Sequence, residues 1–317
     1  MLVVRCRRDV ANGIVEFTLA RADAGELPCF EPGAHISVLT PAGLQRKYSL
    51  INLPGERRHY VIAVRRDGNG RGGSVSMADG VAVGAPIEVC IPDNAFPLAA
   101  GAKRFLFIAG GIGITPILGM IRHLQAAGTA EGAQLFDLIY LTRSRADTAY
   151  GEELTGPGLG ARVVLHHDHG SPAESYDLWP ALERPAPGTH VYCCGPRGLM
   201  DAVRDMTGHW PETGIHFESF GIGDAALFEP NQAFTVRLAR SGSMIEVDAD
   251  QTVLEALHAH GCRVMSSCQA GSCGTCRTTY LSGDVEHRDM VLGEAEKADQ
   301  VMVCVSRARG GILELDL

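Results

Sequence analysis

The sequence predicts three consecutive domains of different fold class. These are an antiparallel β-barrel over residues 1–100, a doubly wound α/β domain with a parallel sheet over 101–223, and a smaller α+β unit over 231–317. Three observations predict this order: short strands fill the first hundred residues, strands then alternate with helices, and three of the ten cysteines crowd into one late loop. A length of 317 residues fits two or three domains.

Composition and charge exclude several classes of protein. A net charge of -9 argues against a nucleic-acid partner, and no apolar run approaches the roughly 18 residues of a membrane span. Residues 1–8 carry arginines where a signal peptide has its apolar core. We therefore expect a soluble cytoplasmic protein without a membrane partner, whose clustered cysteines bind metal more readily than they form disulfides.

The first hundred residues are built from short segments rich in Val, Ile and Tyr. Turn residues separate the segments at intervals of about 8–14 residues, and helical periodicity is almost absent. This pattern is typical of an antiparallel barrel or sandwich. One short helix fits after Gly72. The predicted strands are Gly13–Ala20, Ala34–Thr40, Gln45–Ile51, Arg58–Arg65 and Ala85–Ile91.

Beyond residue 101 the pattern changes to apolar runs, most of them followed by a segment suited to a helix. The first run ends in glycines, and Pro116 then opens a segment with apolar residues at helical spacing. Strands alternating with helices over about 115 residues predict a parallel, doubly wound sheet. The predicted strands are Phe105–Ala109, Leu135–Leu141, Arg162–His166, Thr189–Cys194 and Ile215–Glu218.

The last unit combines a hairpin, a short helix and a late strand. Phe234–Ala239 and Met244–Val247 are predicted to pair around a Ser-Gly turn. Thr252 and Glu255 have the spacing of a capping box, which predicts that a helix begins there. Val301–Val305 is the predicted late strand.

The strongest chemical signal is the cysteine loop of this unit. Its C-x4-C-x2-C spacing with a distant fourth cysteine is the plant-type pattern for a [2Fe–2S] cluster, in which each iron takes two thiolates. Gly271 and Gly274 allow the loop to wrap closely around the cluster. A zinc knuckle is the alternative, although zinc usually takes two paired knuckles and only one is present. The predicted ligands are Cys268, Cys273, Cys276 and Cys304.

Two loops of the α/β domain are candidates for nucleotide binding. Gly110–Pro116 falls between a strand and a helix, where a dinucleotide pyrophosphate can rest on the helix N-terminus. Pro116 stands where the usual fingerprint has its third glycine, so an ordinary tight turn is the alternative. Tyr192–Pro196 ends a later strand, and both loops are expected at the carboxyl edge of one sheet, where such folds bind ligands.

A third signal lies in the barrel. Arg46-Lys-Tyr48-Ser49 is on a predicted strand, and Gly70-Arg-Gly-Gly-Ser74 is a glycine-rich loop leading into a short helix. An arginine beside such a loop suits a phosphate, and an aromatic ring beside it can pack on a flavin. A solvated strand charge and a flexible hairpin tip are the alternatives.

These motifs, in this order, resemble those of the phthalate dioxygenase reductase / vanillate O-demethylase reductase family, and the resemblance spans essentially the whole chain. It implies an FMN-binding barrel, an NAD-binding domain and a C-terminal plant-type ferredoxin domain of the β-grasp type. It also implies a site for each motif, with Ser49 and Cys194 as the catalytic side chains. The flavin residues are Arg46, Tyr48, Ser49, Ala63, Val64, Arg65, Thr115 and Phe220, with Arg71, Gly72, Gly73 and Ser74 on the FMN phosphate. The nucleotide residues are Gly110, Gly111, Gly113, Pro116, Cys194, Gly195 and Pro196, with Cys194 near the nicotinamide.

The order of cofactors explains the order of domains. A nicotinamide delivers two electrons as a hydride while a [2Fe–2S] cluster accepts one, and a flavin between them converts one kind of transfer into the other. The first hypothesis is therefore an NADH-dependent reductase that supplies a Rieske-type oxygenase. The second keeps the relay but ends at a cytochrome or another soluble acceptor, and the third is a zinc-binding interaction protein. Arg143 and Arg145 after a strand leave NADPH open, because an arginine can meet a 2′-phosphate.

Overall fold

The computed structural model describes residues 1–128, 135–220, 230–266, 269–271 and 273–317. The chain divides into two compact units, Met1–Glu218 and Ser219–Leu317. The first unit contains both an antiparallel and a parallel sheet, and one hydrophobic core runs through both, since Ile51 of the barrel and Phe107 of the parallel sheet belong to the same cluster. None of the helices in these ranges combines the length and the apolar character needed to cross a bilayer.

The antiparallel sheet has six strands in the order β4-β3-β6-β1-β2-β5. The backbone N–H of Ile51, just beyond β4, donates to the carbonyl of Val61 in β5 (3.0 Å), which brings the two edge strands together as in a barrel. The five strands and the short helix predicted here are confirmed. The sequence missed β1, because residues 5–9 of this strand are exposed and polar. The elements are β1 (Leu2–Ala11), β2 (Ile14–Ala20), β3 (His35–Leu39), β4 (Gln45–Ser49), β5 (Tyr60–Arg65), α1 (Gly73–Gly80) and β6 (Pro86–Val89).

The parallel sheet has five strands in the order β11-β10-β7-β8-β9. The chain runs outward from β7 to β9 and then returns to the other side of β7, so the strand order reverses between β7 and β10. Such a switch point is where open α/β sheets bind ligands. The strands are β7 (Arg104–Gly110), β8 (Leu135–Thr142), β9 (Val163–His167), β10 (Thr189–Cys194) and β11 (Ile215–Glu218).

A helix follows each of the first four predicted runs as expected, but the first helix begins earlier than predicted. α2 begins at Ile114, two residues before Pro116, so the proline lies inside the first turn, where its missing N–H removes no helical hydrogen bond. The helices after β8 and β9 have only five and four residues. The four helices are α2 (Ile114–Ala127), α3 (Gly151–Thr155), α4 (Trp179–Leu182) and α5 (Arg197–Met206).

The second unit has a five-stranded mixed sheet in the order β13-β12-β18-β14-β16 and a two-stranded sheet of β15 and β17. The hairpin β12–β13 is confirmed, and so is the capping box, in which the Thr252 hydroxyl accepts from the Glu255 N–H (3.1 Å). The elements are β12 (Phe234–Leu238), β13 (Met244–Val247), α6 (Val253–Ala259), β14 (Arg277–Ser282), β15 (Val285–Glu286), β16 (Gln300–Met302), β17 (Arg307–Ala308) and β18 (Ile312–Leu315).

The predicted late strand Val301–Val305 was too long. β16 ends at Met302, whose carbonyl accepts hydrogen bonds from the N–H groups of Val305 (3.1 Å) and Ser306 (3.0 Å). These bonds close a turn, so Cys304 lies in a turn and not in a strand. A continuous apolar run predicts a strand from hydrophobicity alone and carries no signal for the point where the backbone turns.

Candidate functional site

Two neighbouring hydroxyls on β4 are buried and have no hydrogen-bond partner among the described residues, those of Tyr48 and Ser49. Burial raises the pKa of Tyr48 to about 12, so its phenol stays protonated and can donate at neutral pH. Burying a polar group without a partner costs about 1–3 kcal/mol, and such groups are rare in native proteins. Each hydroxyl therefore fits a bound ligand that supplies its partner, and both residues are among those predicted to hold the flavin.

The residues predicted to hold a phosphate lie together at the start of α1. A Cβ added to Gly73 would lie 3.1 Å from Nε of Arg46, so the arginine side chain passes directly over the first residue of the helix. Gly72 adopts a left-handed conformation with φ of +85°, and the hydroxyl of Ser74 accepts from the backbone N–H of Asp67 (3.1 Å). A guanidinium beside the free N–H groups of a helix N-terminus suits a phosphate, while Arg71 on the same loop is exposed.

β5 joins this part of the barrel to the glycine loop of the parallel sheet. Ala63 and Val64 are buried and Arg65 is exposed, and the strand lies next to the short turn Gly111–Gly113. The buried hydroxyl of Thr115 donates to the Ile112 carbonyl (3.0 Å), which ties it to its own turn. The predicted flavin face and the predicted nucleotide loop are thus neighbours within the first unit.

The two predicted nucleotide loops are packed backbone against backbone. A Cβ on Gly113 would lie 2.1 Å from the Cys194 carbonyl oxygen, and one on Gly110 would lie 2.5 Å from Cδ of Pro196. A Cβ on Gly195 would in turn lie 3.0 Å from Cα of Gly110. Only glycine permits this approach, so both loops meet at the carboxyl edge of β7 and β10, as the sequence predicted.

Two protonated side chains lie at this edge. Cys194 is fully buried, and burial raises the pKa of its thiol well above the ordinary value, so it is not a thiolate. Its neighbour across the sheet is Glu218, whose Oε2 is buried and has no partner among the described residues. Burial raises the pKa of Glu218 to about 8, against the opposing effect of the Lys47 ammonium.

Glu218 is the functional candidate that the sequence analysis missed. It ends the predicted strand Ile215–Glu218, and an acid at a strand end is ordinarily solvated. The signal that could have found it is its place beside Cys194 at the same sheet edge, which follows from the strand order. Phe220, predicted to cover the flavin, follows β11 by two residues and is 45% exposed.

The second unit brings Cys276 of the cysteine loop next to the distant ligand Cys304. A hydrogen bond from Cys304 lowers the pKa of Cys276, and both residues are buried. Cys273 is half-buried with its sulfur 3.2 Å from the Thr275 hydroxyl. A thiol whose deprotonated form is favoured is what a metal requires, so these donors fit a thiolate-bound cluster. Cys268 lies outside the described residues, and the full set of four ligands stays a prediction.

Comparison with known proteins extends these observations to the whole chain. Residues 236–309 match the family described as the 2Fe-2S iron-sulfur cluster binding domain. The phthalate 4,5-dioxygenase oxygenase reductase subunit of Pseudomonas putida is 53% identical over 316 residues, covering 100% of this chain and 96% of that protein. The vanillate O-demethylase oxidoreductase of Pseudomonas sp. (strain HR199 / DSM 7063) is 40% identical, covering 100% of this chain and 99% of that protein.

A solved structure agrees. That of phthalate dioxygenase reductase, described as a modular structure for electron transfer from pyridine nucleotides to [2Fe–2S], is 49% identical with a TM-score of 0.85. The alignment covers 100% of this chain and 97% of that one. Full-length similarity in sequence and in structure confirms the resemblance seen in the motifs. The chain belongs to the phthalate dioxygenase reductase family.

Proposed function

We propose that this chain is the NADH-dependent reductase component of a Rieske-type oxygenase system, with FMN and a [2Fe–2S] cluster as its cofactors. The observation that carries the proposal is the pair of buried hydroxyls of Tyr48 and Ser49, which have no hydrogen-bond partner among the described residues and lie on β4, next to the strand β5 that contacts the Gly111–Gly113 turn. Full-length relatives named as reductases of dioxygenase and O-demethylase systems support it. We also propose a cytoplasmic location and domains at 1–100, 101–223 and 231–317.

When bound, the flavin accepts the two electrons of a hydride together and releases them singly, as the cluster requires. The chain's own contribution begins with binding. Tyr48 and Ser49 would donate hydrogen bonds to the flavin, and Ser49 would help to orient the ring. Arg46 and the Gly72–Ser74 loop neutralise and hold the phosphate.

The residues at the carboxyl edge of β7 and β10 would position the nicotinamide ring and exclude water from it. Gly110 and Gly113 let the two loops pack together at the carboxyl edge of β7 and β10, and the N-terminus of α2 beside them would hold the pyrophosphate. Cys194 and Glu218, both protonated at neutral pH because of their burial, line this edge without a formal charge. The site does its work by aligning two rings and excluding water, because hydride transfer needs no acid–base pair.

The cluster residues complete the relay. Four thiolates from Cys268, Cys273, Cys276 and Cys304 would hold the two irons, and the buried setting of Cys276 and Cys304 would limit water at the cluster. Plant-type clusters have potentials near −400 mV, low enough to pass electrons to an oxygenase.

The test is a single substitution in the relay. Cys304→Ser is expected to abolish electron delivery to a purified Rieske oxygenase and to a cytochrome, while NADH still reduces the flavin at the wild-type rate. Cys262→Ser is the matched control, since Cys262 lies in the same unit and is not a predicted ligand.

Three results would contradict the proposal. One is wild-type protein without iron, acid-labile sulfide or yellow colour after anaerobic isolation. Another is loss of flavin reduction in folded Cys304→Ser protein, which would refute the order of the relay. Turnover with a cytochrome but with no Rieske oxygenase would move the end of the relay to the second hypothesis.

A further inference from the structure

One short segment of the second unit supports both loops that carry predicted cluster ligands. We call residues His287–Leu292 the 287–292 segment. The N–H of Met290 donates to the carbonyl of Gly271 in the cysteine loop (2.9 Å). The N–H of Arg288 donates to the hydroxyl of Ser306 (3.2 Å), two residues beyond Cys304. The segment therefore touches the cysteine loop with one residue and the turn after β16 with another.

Asp289 lies at the centre of the 287–292 segment, and its side chain has 0% exposure. Oδ2 accepts hydrogen bonds from the N–H groups of Val291 (3.0 Å) and Leu292 (2.8 Å), which fixes the turn of the segment. Oδ1 is buried and has no hydrogen-bond partner among the described residues. A buried carboxylate with an unsatisfied oxygen costs stability, so its presence calls for a role beyond holding a turn.

The cysteine loop rests directly on this residue. Gly271 is buried with φ of +72°, and a Cβ added to it would lie 3.0 Å from Cα and 3.3 Å from Cβ of Asp289. No space separates the loop from the backbone of Asp289, so a shift of one displaces the other. Gly271 lies between Cys268 and Cys273, in the part of the loop that wraps the cluster.

Among the described residues, no ion pair with a lysine or arginine is recorded for Asp289. A titratable group close to it is His287, whose buried Nδ1 lies 3.8 Å from Oδ1 and also has no hydrogen-bond partner in the described part of the chain. Burial lowers the pKa of His287, so its ring is neutral at pH 7. The cation next in sequence, Arg288, forms a buried ion pair with Glu286.

We propose that Asp289 is a positioning residue of the iron–sulfur centre. By accepting hydrogen bonds from the N–H groups of Val291 and Leu292 it fixes the turn of the 287–292 segment that contacts both ligand loops, and its negative charge lowers the reduction potential of the cluster. The inference rests on the cluster ligation proposed above. A negative charge behind the loop disfavours addition of an electron, because cluster potentials follow net charge and hydrogen bonding around the sulfurs. The lowered potential makes the reduced cluster a stronger reductant.

The test separates positioning from charge with two substitutions in the full-length holoprotein. Asp289→Asn keeps an oxygen for both N–H groups and removes the charge, whereas Asp289→Ala removes both. Asp284→Asn is the control, since this carboxylate is in the same unit and 70% exposed. Iron and sulfide content reports positioning, and a redox titration followed by the EPR signal of the reduced cluster reports charge.

Asp289→Asn is expected to retain iron and sulfide. Its equilibrium between oxidised and reduced cluster should shift on the order of tenfold toward the reduced form, which raises the reduction potential by about 59 mV for one electron. Asp284→Asn should leave the potential unchanged, and Asp289→Ala should lose most of its iron and sulfide. If Asp289→Asn does not keep the cluster, His287→Arg places a compensating cation beside Oδ1 and is expected to raise the potential in the same direction.

Wild-type potentials in every variant that holds the cluster, or full iron and sulfide in Asp289→Ala, would overturn the inference. Wild-type protein without iron and sulfide would instead contradict the proposed function, so the two failures are distinct.

Discussion

Gly113→Ala is expected to slow reduction of the flavin by NADH about a hundredfold. The added Cβ would lie 2.1 Å from the carbonyl oxygen of Cys194 and 2.9 Å from the backbone nitrogen of Gly195. Both atoms belong to backbone, which cannot swing aside as a flexible side chain can, so the two nucleotide loops must separate by about 1 Å. A misplacement of about 1 Å between reacting groups can cost about 10²-fold in rate.

The backbone itself places no strain on alanine at this position. Gly113 has φ of −61° and ψ of −7°, a helical conformation open to any residue. The clash is therefore the whole perturbation, and we expect it to cost about 1–3 kcal/mol of unfolding free energy, as overpacking does. The fold and the flavin content should survive, which allows the rate effect to be measured.

The assay is anaerobic stopped-flow measurement of flavin absorbance after mixing with NADH. Gly198→Ala is the matched control, because Gly198 lies in α5 close to the same loop and a Cβ there meets nothing within 4 Å. Equal flavin content in both variants shows that the barrel site is intact. Wild-type rates and nucleotide affinity in Gly113→Ala would refute the assignment of these two loops to the nucleotide.

Two further substitutions test the first unit. Tyr150→Phe removes the hydrogen bond from the Tyr150 hydroxyl to Oε2 of the buried Glu16 (2.9 Å), which links the parallel-sheet part to the barrel. The substitution should lower the free energy of unfolding by about 1–3 kcal/mol in urea titrations. An unchanged urea midpoint would contradict this role. Glu218 keeps its proton in the folded chain up to a pKa of about 8, against 4.5 when unfolded. Wild-type stability should therefore fall as pH rises between these values, by at most about 1.4 kcal/mol per pH unit. Glu218→Gln should lack that slope in urea titrations from pH 5 to 8, and parallel curves for the two proteins would show that Glu218 is not buried in its protonated form.

The sequence predicted best the bounds of those strands where the apolar run ends at the same point as a turn-forming residue begins. Thr189–Cys194, Ile215–Glu218 and Met244–Val247 were predicted with the bounds that the structure has. Each is short and is bounded by a glycine, proline or serine. β1 was missed because its exposed arginines resemble a solvated segment, and its pairing with β2 and β6 is not visible in its own sequence.

The sequence predicted those site residues whose role follows from the backbone, such as the loop glycines. It did not predict those whose role follows from being buried. The glycines and the strand order together placed Gly110–Pro116 and Tyr192–Pro196 at one sheet edge, and the structure brings these loops into contact. Glu218 and Asp289 could not be predicted in the same way. An acid has the same sequence signal whether it is solvated or buried, and only the packing of distant segments decides which.

Most buried polar atoms that lack a hydrogen-bond partner among the described residues lie at or beside the predicted cofactor sites. Among the described residues of the first unit they are the hydroxyls of Tyr48 and Ser49 and Oε2 of Glu218, all on the predicted flavin and nucleotide residues or beside them. In the second unit His287 and Asp289 carry two more, next to the cysteine loop. The remaining one, Nε of Arg307, belongs to a guanidinium that already donates to the carbonyls of three other residues. Since each such atom costs stability, the three atoms of the first unit lie where a bound flavin or nicotinamide can supply the missing hydrogen bonds, whereas the two beside the cysteine loop belong to the segment whose role we assign to positioning and charge.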